Sequence, residues 1–251
     1  MNTPLSRSEQ ARQFYNAAAT TTTDFCFMNY GFAPLSAELA NSSEPERYCL
    51  QLYRHLLGDA DISGQRVVEV SCGRGGGAAH VAASYRPHEY MGIDISEKNI
   101  GLAQRRFGTI PGLRFEVGNA ESLPLASHAC QALINIEASH LYDNPLQFFS
   151  EGWRVLRSGG TFFHADLAWK DTDPAKLIEA AGFTLASVED ITDNVRQALE
   201  HDSARREQIV MSFPEQLRAD FRDWSGVKDH RAYRRLVTGE WKYCCTRAIK
   251  K

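Results

Sequence analysis

The sequence has no long apolar run, no surplus of positive charge and no cysteine spacing of metal-binding type, and each absence excludes a class of function. No apolar stretch approaches the roughly 20 residues that span a bilayer. Residues 1–13 (MNTPLSRSEQARQ) lack the apolar segment of a secretory signal, so no membrane span and a cytoplasmic location are expected. Lys and Arg number 28 against 31 Asp and Glu, a net charge of -3 with pI near 6.2. That balance gives no electrostatic reason to expect nucleic acid or an anionic membrane as partner. The six cysteines, at 26, 49, 72, 130, 244 and 245, form no C-x-x-C pair and no Cys/His set of zinc type. They read as packed thiols in a reducing compartment, and no metal is expected. Repeats and low-complexity tracts are also missing, so small molecules become the expected partners.

What is present is ordinary globular composition, 43% hydrophobic with 18 glycines in 251 residues, enough for one large α/β domain over 1–251. Short β-branched runs at 66–70, 90–94, 113–117, 129–136 and 161–166 alternate with helical patterns, which argues a parallel sheet. Residues 8–19 are helix-compatible and end at the threonines 20–23. A second helix opens at 41–46, where Ser43 and Glu46 fit a capping box. The motif RVLRSGG at 154–160 stops a helix before the fifth strand. Beyond it come a helix at 173–182, a strand at 183–191, helices within 192–239 and a last strand at 241–249.

The chain is organised around residues 66–94. A buried strand (RVVEV) runs into Gly73, Gly75, Gly76 and Gly77, which permit a tight reversal and leave backbone N–H groups open at a helix start. Gly73-x-Gly75-x-x-Ala78 followed by Asp94 formally satisfies a dinucleotide fingerprint. Glu69, however, stands just before the turn, where a carboxylate would repel a pyrophosphate and attract an ammonium. S-adenosylmethionine carries an ammonium, a sulfonium and one carboxylate, and suits such a turn. Asp94, at the end of the second strand, can accept both ribose hydroxyls of an adenosine.

Residues 69–77 (EVSCGRGGG) resemble the first motif of the class I S-adenosylmethionine-dependent methyltransferases, with Ser71 where a glycine is commoner. The string 119–124 (NAESLP) resembles the family's third motif, in which Asn119 would contact the adenine amino group. Residues 28–32 (MNYGF) resemble an N-terminal segment that folds over the cofactor, placing Tyr30 beside donor or acceptor. Residues 69–77, the strand ending Glu137-Ala-Ser-His140 and RVLRSGG at 154–160 together look like the narrower group of phthiotriol/phenolphthiotriol dimycocerosates methyltransferases, which O-methylate a hydroxyl on a long polyketide-derived lipid. The resemblance covers about residues 28–167. It implies a Rossmann-like, seven-stranded, mostly parallel sheet with helices on both faces, the final strand antiparallel beside the fifth, and an α-helical lid over the carboxyl edge. The lid and first helices would occupy 1–64, the donor-binding core 65–170, and the C-terminal strands with acceptor-binding helices 171–251. The implied cofactor is S-adenosylmethionine, held by Tyr30, Glu69, Ser71, Gly73, Gly75, Asp94, Ile95, Asn119, Ala120, Glu121 and Glu137.

Methyl transfer is an in-line displacement for which alignment can supply roughly 7–11 kcal/mol. An alcohol acceptor must also lose a proton as it attacks. His140, after the fourth strand, is the expected base, and Asp166, ending the fifth, is placed to orient it or bind the acceptor. His164 lies inside a strand and reads as packed. Tyr30, His140 and Tyr142 are the expected acceptor contacts. The aromatics Phe25, Phe27, Tyr30 and Phe32 suggest an apolar small molecule, and the expected assembly is monomer or homodimer. Three alternatives stand beside this reading: a C- or N-methyltransferase, for which His140 is dispensable; a methyltransferase-fold cyclase; and an NAD(P)-dependent oxidoreductase, which should carry a Tyr-x-x-x-Lys set that the sequence lacks.

Overall fold

Apolar runs of five to seven residues can be buried on both faces only as inner strands of a covered sheet, and the first and fourth runs behave so. The computed structural model describes residues 5–20, 25–34 and 44–251. In it β1 (Arg66–Val70) pairs in parallel with β2 (Glu89–Asp94) on one side and β4 (Cys130–Ile136) on the other, with β3 (Leu113–Val117) beyond β2. The sheet has seven strands in the order β3-β2-β1-β4-β5-β7-β6, with β5 (Leu156–Trp169), β6 (Thr184–Asp190) and β7 (Trp241–Ile249) completing it. β7 runs antiparallel between β5 and β6, as expected. Strand order reverses between β1 and β4, and ligands of open α/β sheets bind at that switch point, beyond the carboxyl ends.

Two-residue periodicity sorts β1 between the two cores. Val67 joins Leu52, Leu56, Ala78 and Tyr90 on one face, whereas Val68 and Val70 join Phe148, Phe149 and Phe162 on the other. The first face is covered by α2 (Arg47–Leu57), α3 (Gly76–Tyr85) and α4 (Glu97–Phe107), and the second by α5 (Pro145–Val155) and α6 (Pro174–Ala180). Above the carboxyl edge, α1 (Arg7–Ala18) packs with α7 (Thr192–Met211) and α8 (Glu215–Trp224) through Phe14, Phe213 and Phe221, while α9 (Arg231–Val237) returns the chain to β7. Phe14 stacks on Phe221 at 4.7 Å between ring centroids. Among the described residues no helix is long and apolar enough to cross a membrane.

Two expectations change in detail. RVLRSGG does not merely stop a helix: Leu156, fully buried, pairs with Cys130 and begins a 14-residue β5, with an irregularity between Cys130 and Ala132 where the glycines depart from the ladder. Ser43 and the threonines after Thr20 lie outside the described residues. Glu46 does stand at the start of α2, but its carboxylate turns away from the helix and accepts from Cys26 N at 3.0 Å and Phe27 N at 3.1 Å, pinning that segment instead.

Candidate active site

The turn after β1 gathers three left-handed residues: Ser71 (φ 62°), Gly73 (φ 54°) and Gly75 (φ 83°). Glycine takes such angles freely, but serine is strained there, and strain of this kind concentrates at functional sites. Gly77 is glycine for space as well, since a Cβ there would lie 1.9 Å from Cζ of Tyr53. The reversal leaves the N-terminus of α3 facing the carboxyl edge. Asp94, at the end of β2, spans the turn: Oδ2 accepts from Gly73 N and Oδ1 from Ser96 N, both at 2.8 Å. Burial raises its carboxyl to about 6 despite those bonds.

Glu69 is a correction. Both its oxygens are taken by tyrosines, Oε1 by the Tyr53 hydroxyl at 2.6 Å and Oε2 by Tyr90 at 2.8 Å, and it does not line the cavity. A side chain one residue before the end of β1 points into the covered face, not out of the edge. Burial pushes this carboxyl up to about 7. Besides Asp94, the acid that reaches the cavity is Glu137, at φ 54° just past β4. Its Oε2 accepts from Tyr30 N at 2.8 Å and from the Tyr243 hydroxyl at 3.0 Å, and burial again raises it to about 7.

The cavity encloses about 820 Å³ of non-atom space, its open mouth included. Of the expected contacts, Ser71, Gly73, Asp94, Ile95, Asn119, Ala120, Glu137 and Tyr142 line it. Tyr30, Glu69, Gly75, Glu121, His140 and Asp166 do not. Tyr30 is buried, its hydroxyl donating to Trp224 O at 3.0 Å, and Phe32 likewise belongs to the core. Glu121 sits at the rim, accepting from Asn144 N and from Ser8 Oγ, which ties α1 to the loop after β3. The Asn119 amide oxygen already accepts from Glu121 N at 2.9 Å, a local turn bond that leaves one lone pair for a ligand. None of α7, α8 or α9 contributes to the lining; Arg206 on α7 holds the segment at 28–32 from outside, donating to Asn29 O and Tyr30 O at 3.1 and 3.0 Å.

Ser8, Ala11 and Tyr15 of α1 also line the cavity, a contribution the sequence reading missed although their three- and four-residue spacing was visible. Between the lining residues Ala138 and Leu141 in the chain, His140 has its Nδ1 2.7 Å from Asp166 Oδ1, and its backbone N donates to Oδ2 at 3.1 Å. Ser139 Oγ donates to the same Oδ2 at 2.6 Å and sits 2.9 Å from Nε2 of the buried His164. Burial lowers His164 to about 4, so it stays neutral. Burial also pushes His140 down, but Asp166 and Glu137 outweigh it and the net direction is up.

Residues 68–164 match a family model described as methyltransferase domain. The chain is 34% identical over 228 residues to the phthiotriol/phenolphthiotriol dimycocerosates methyltransferase of Mycobacterium leprae, covering 88% of this chain and 84% of that one. The chain belongs to the S-adenosylmethionine-dependent methyltransferases. The fatty-acid O-methyltransferase of Mycolicibacterium smegmatis is 42% identical over 146 residues, 57% of this methyltransferase and 53% of that protein. Among solved structures, the [4+2]-cyclase SpnF superposes with TM-score 0.76 at 20% identity over 98% of this chain and 97% of its own. Geranyl diphosphate C-methyltransferase from Streptomyces coelicolor A3(2), solved with S-adenosyl-L-homocysteine, gives 0.71 at 16% identity and full coverage of both chains.

The cofactor of this methyltransferase is S-adenosylmethionine, and the cavity fits it. Asp94 at the end of β2 suits the ribose, the open end of α3 and the glycine turn suit the chain beyond it, and Glu137 across the turn suits a cation. Glu137 beside the turn disfavours a dinucleotide pyrophosphate, which counts against the nicotinamide alternative.

Proposed function

We propose that this methyltransferase transfers the methyl group of S-adenosylmethionine to the hydroxyl of an apolar small molecule, a lipid or polyketide-type secondary metabolite, in the cytoplasm. Asp94 receives the ribose hydroxyls, Asn119 with Ile95 and Ala120 frames the adenine, and Glu137 faces the ammonium. His140 removes the acceptor proton. The observation that carries this is the 2.7 Å contact between His140 Nδ1 and Asp166 Oδ1 directly beside the wall formed by Ala138, Leu141 and Tyr142. An ionised Asp166 holds the proton on Nδ1, so the lone pair of Nε2 is the basic one. Burial pushes Asp166 up, but the His140 imidazole and the hydrogen bonds from His140 and Ser139 hold it below the ordinary carboxylate value.

The names of two relatives support an oxygen acceptor: one is a fatty-acid O-methyltransferase, and the other is a phthiotriol/phenolphthiotriol dimycocerosates methyltransferase. S-adenosylmethionine itself supplies an activated methyl group, so this chain's residues have three tasks: alignment, exclusion of water beneath α1, and proton removal. The test is mass spectrometry of products after incubating the enzyme and labelled S-adenosylmethionine with long-chain alcohols and with the matching acids. A methyl ether from the alcohol supports the reading. Methylation of acids alone, on carbon or nitrogen alone, or none with either substrate overturns the hydroxyl assignment.

A further inference from the structure

Asn29 is buried, 5% exposed, and lines the donor cavity together with Glu137. Its backbone is committed on both sides. The carbonyl accepts from Arg206 Nη2 at 3.1 Å and from Cys49 Sγ at 3.4 Å, and the next amide, Tyr30 N, donates to Glu137 Oε2 at 2.8 Å. The side chain is different: Oδ1 is shut off from solvent and has no hydrogen-bond partner among the described residues. Buried amide groups are nearly always bonded, so an orphan one at a cavity wall marks a place where a ligand supplies the partner.

Phe27, Met28 and Asn29 also line a second cavity, of about 350 Å³ of non-atom space, so the two cavities meet along this segment. Helices α7 and α8, which leave the donor cavity untouched, wall the second one with Ile209 and Trp224. Its other polar side chains are spent within the protein. Arg206 pairs with Asp202 at 3.1 Å and donates to Ser225 O at 2.7 Å, Arg205 donates to Asp202 at 2.7 Å, the Tyr30 hydroxyl donates to Trp224 O at 3.0 Å, and Ser225 Oγ donates to Arg222 O at 3.4 Å. What is left to a ligand is the apolar surface of Phe27, Met28, Ile209 and Trp224 and one carboxamide. A groove open to solvent shares Phe27, Arg205 and Ile209 with this cavity, so a chain longer than the cavity has a way out. We propose that the second cavity takes the apolar chain of the methyl acceptor and that Asn29, at the junction, holds the acceptor's hydroxyl; the inference rests on the hydroxyl-methylation reading above and names where that substrate lies. An amide N–H donated to the hydroxyl oxygen leaves the hydroxyl proton for His140, which follows Glu137 by three residues.

The test is calorimetric titration of the complex with S-adenosylhomocysteine by hexanol and by decanol. Asn29→Ala removes the carboxamide and keeps the backbone bonds that fix the segment, so folding is not the variable. It should weaken both alcohols by the same factor, about three- to tenfold, the scale of a neutral hydrogen bond, and leave S-adenosylhomocysteine within twofold of wild type. Ile209→Trp narrows the second cavity and should weaken decanol at least tenfold and hexanol less than about threefold, because only the longer chain loses buried methylenes. No binding of either alcohol by the wild type, weaker S-adenosylhomocysteine with unchanged alcohols in Asn29→Ala, or equal effects of Ile209→Trp on both alcohols overturns the inference. Decanol bound in the expected pattern yet never converted to its methyl ether would instead remove the hydroxyl-methylation reading and leave the chain-binding cavity standing.

Discussion

Asp166 holds His140 at two points: Oδ1 meets the ring Nδ1 at 2.7 Å, and Oδ2 accepts from the same residue's backbone N at 3.1 Å. One carboxylate thus fixes both the tautomer and the place of the imidazole. Because Asp166 is itself tied to Ser139 and to Leu167 N, the ring has little freedom to swing away.

His140→Ala should lower kcat with the alcohol acceptor by about 10²- to 10⁴-fold, the range of general-base contributions, while binding of S-adenosylhomocysteine stays within twofold. Steady-state rates and calorimetry check the two halves separately.

A base must be neutral to act, and His140 is raised above its ordinary value, so activity should rise with pH through an apparent pKa above about 6.5. Asp166→Asn removes the negative charge that raises it. The acid limb of the pH profile should then move to lower pH even as the plateau rate falls. An unmoved limb would show that His140 is not the titrating base.

Glu137, raised to about 7 by burial, must be ionised to face an ammonium. Affinity for S-adenosylhomocysteine should therefore weaken as pH falls from 8 to 6. Glu137→Gln should bind more weakly at pH 8 and lose that dependence, measured by titration at several pH values.

Glu69 makes an opposite kind of prediction, about stability. Its folded carboxyl sits near 7 against an ordinary 4.5, so between those values the folded state holds more protons than the unfolded one. Unfolding free energy then falls as pH rises through this window, and the contribution is favourable only toward acid. Glu69→Gln should flatten the decline in Tm between pH 5 and pH 8 relative to wild type, read by calorimetric scans of the ligand-free protein. A steeper decline in the variant would contradict the assignment.

Much of this was legible along the chain because it is local. The strand–glycine turn–helix unit, the alternation of apolar runs and the stop before β5 depend on periodicity and on backbone angles, which neighbouring residues set. Strand ends singled out Asp94 and His140, and the string at 119–124 singled out Asn119; Asp94 and Asn119 line the cavity, whereas His140 does not. What periodicity could not convey was which acid looks outward. Glu69 and Glu137 both stand near strand ends, but Glu69 lies within the ladder, where the two-residue alternation turns it under the sheet to Tyr53 and Tyr90, whereas Glu137 lies one residue beyond β4.

The sequence alone determined the alternation of strands and helices and the position of the turn, since those follow from residue spacing, and its family motifs named the donor, although the acid expected to select it, Glu69, faces away from the cavity. Only the tertiary structure decided that Tyr30 is core, that α1 roofs the cavity, and that Asn29 stands where two cavities meet. Those relations join residues more than 100 positions apart, and contacts between such distant segments are set by packing, which spacing along the chain does not encode.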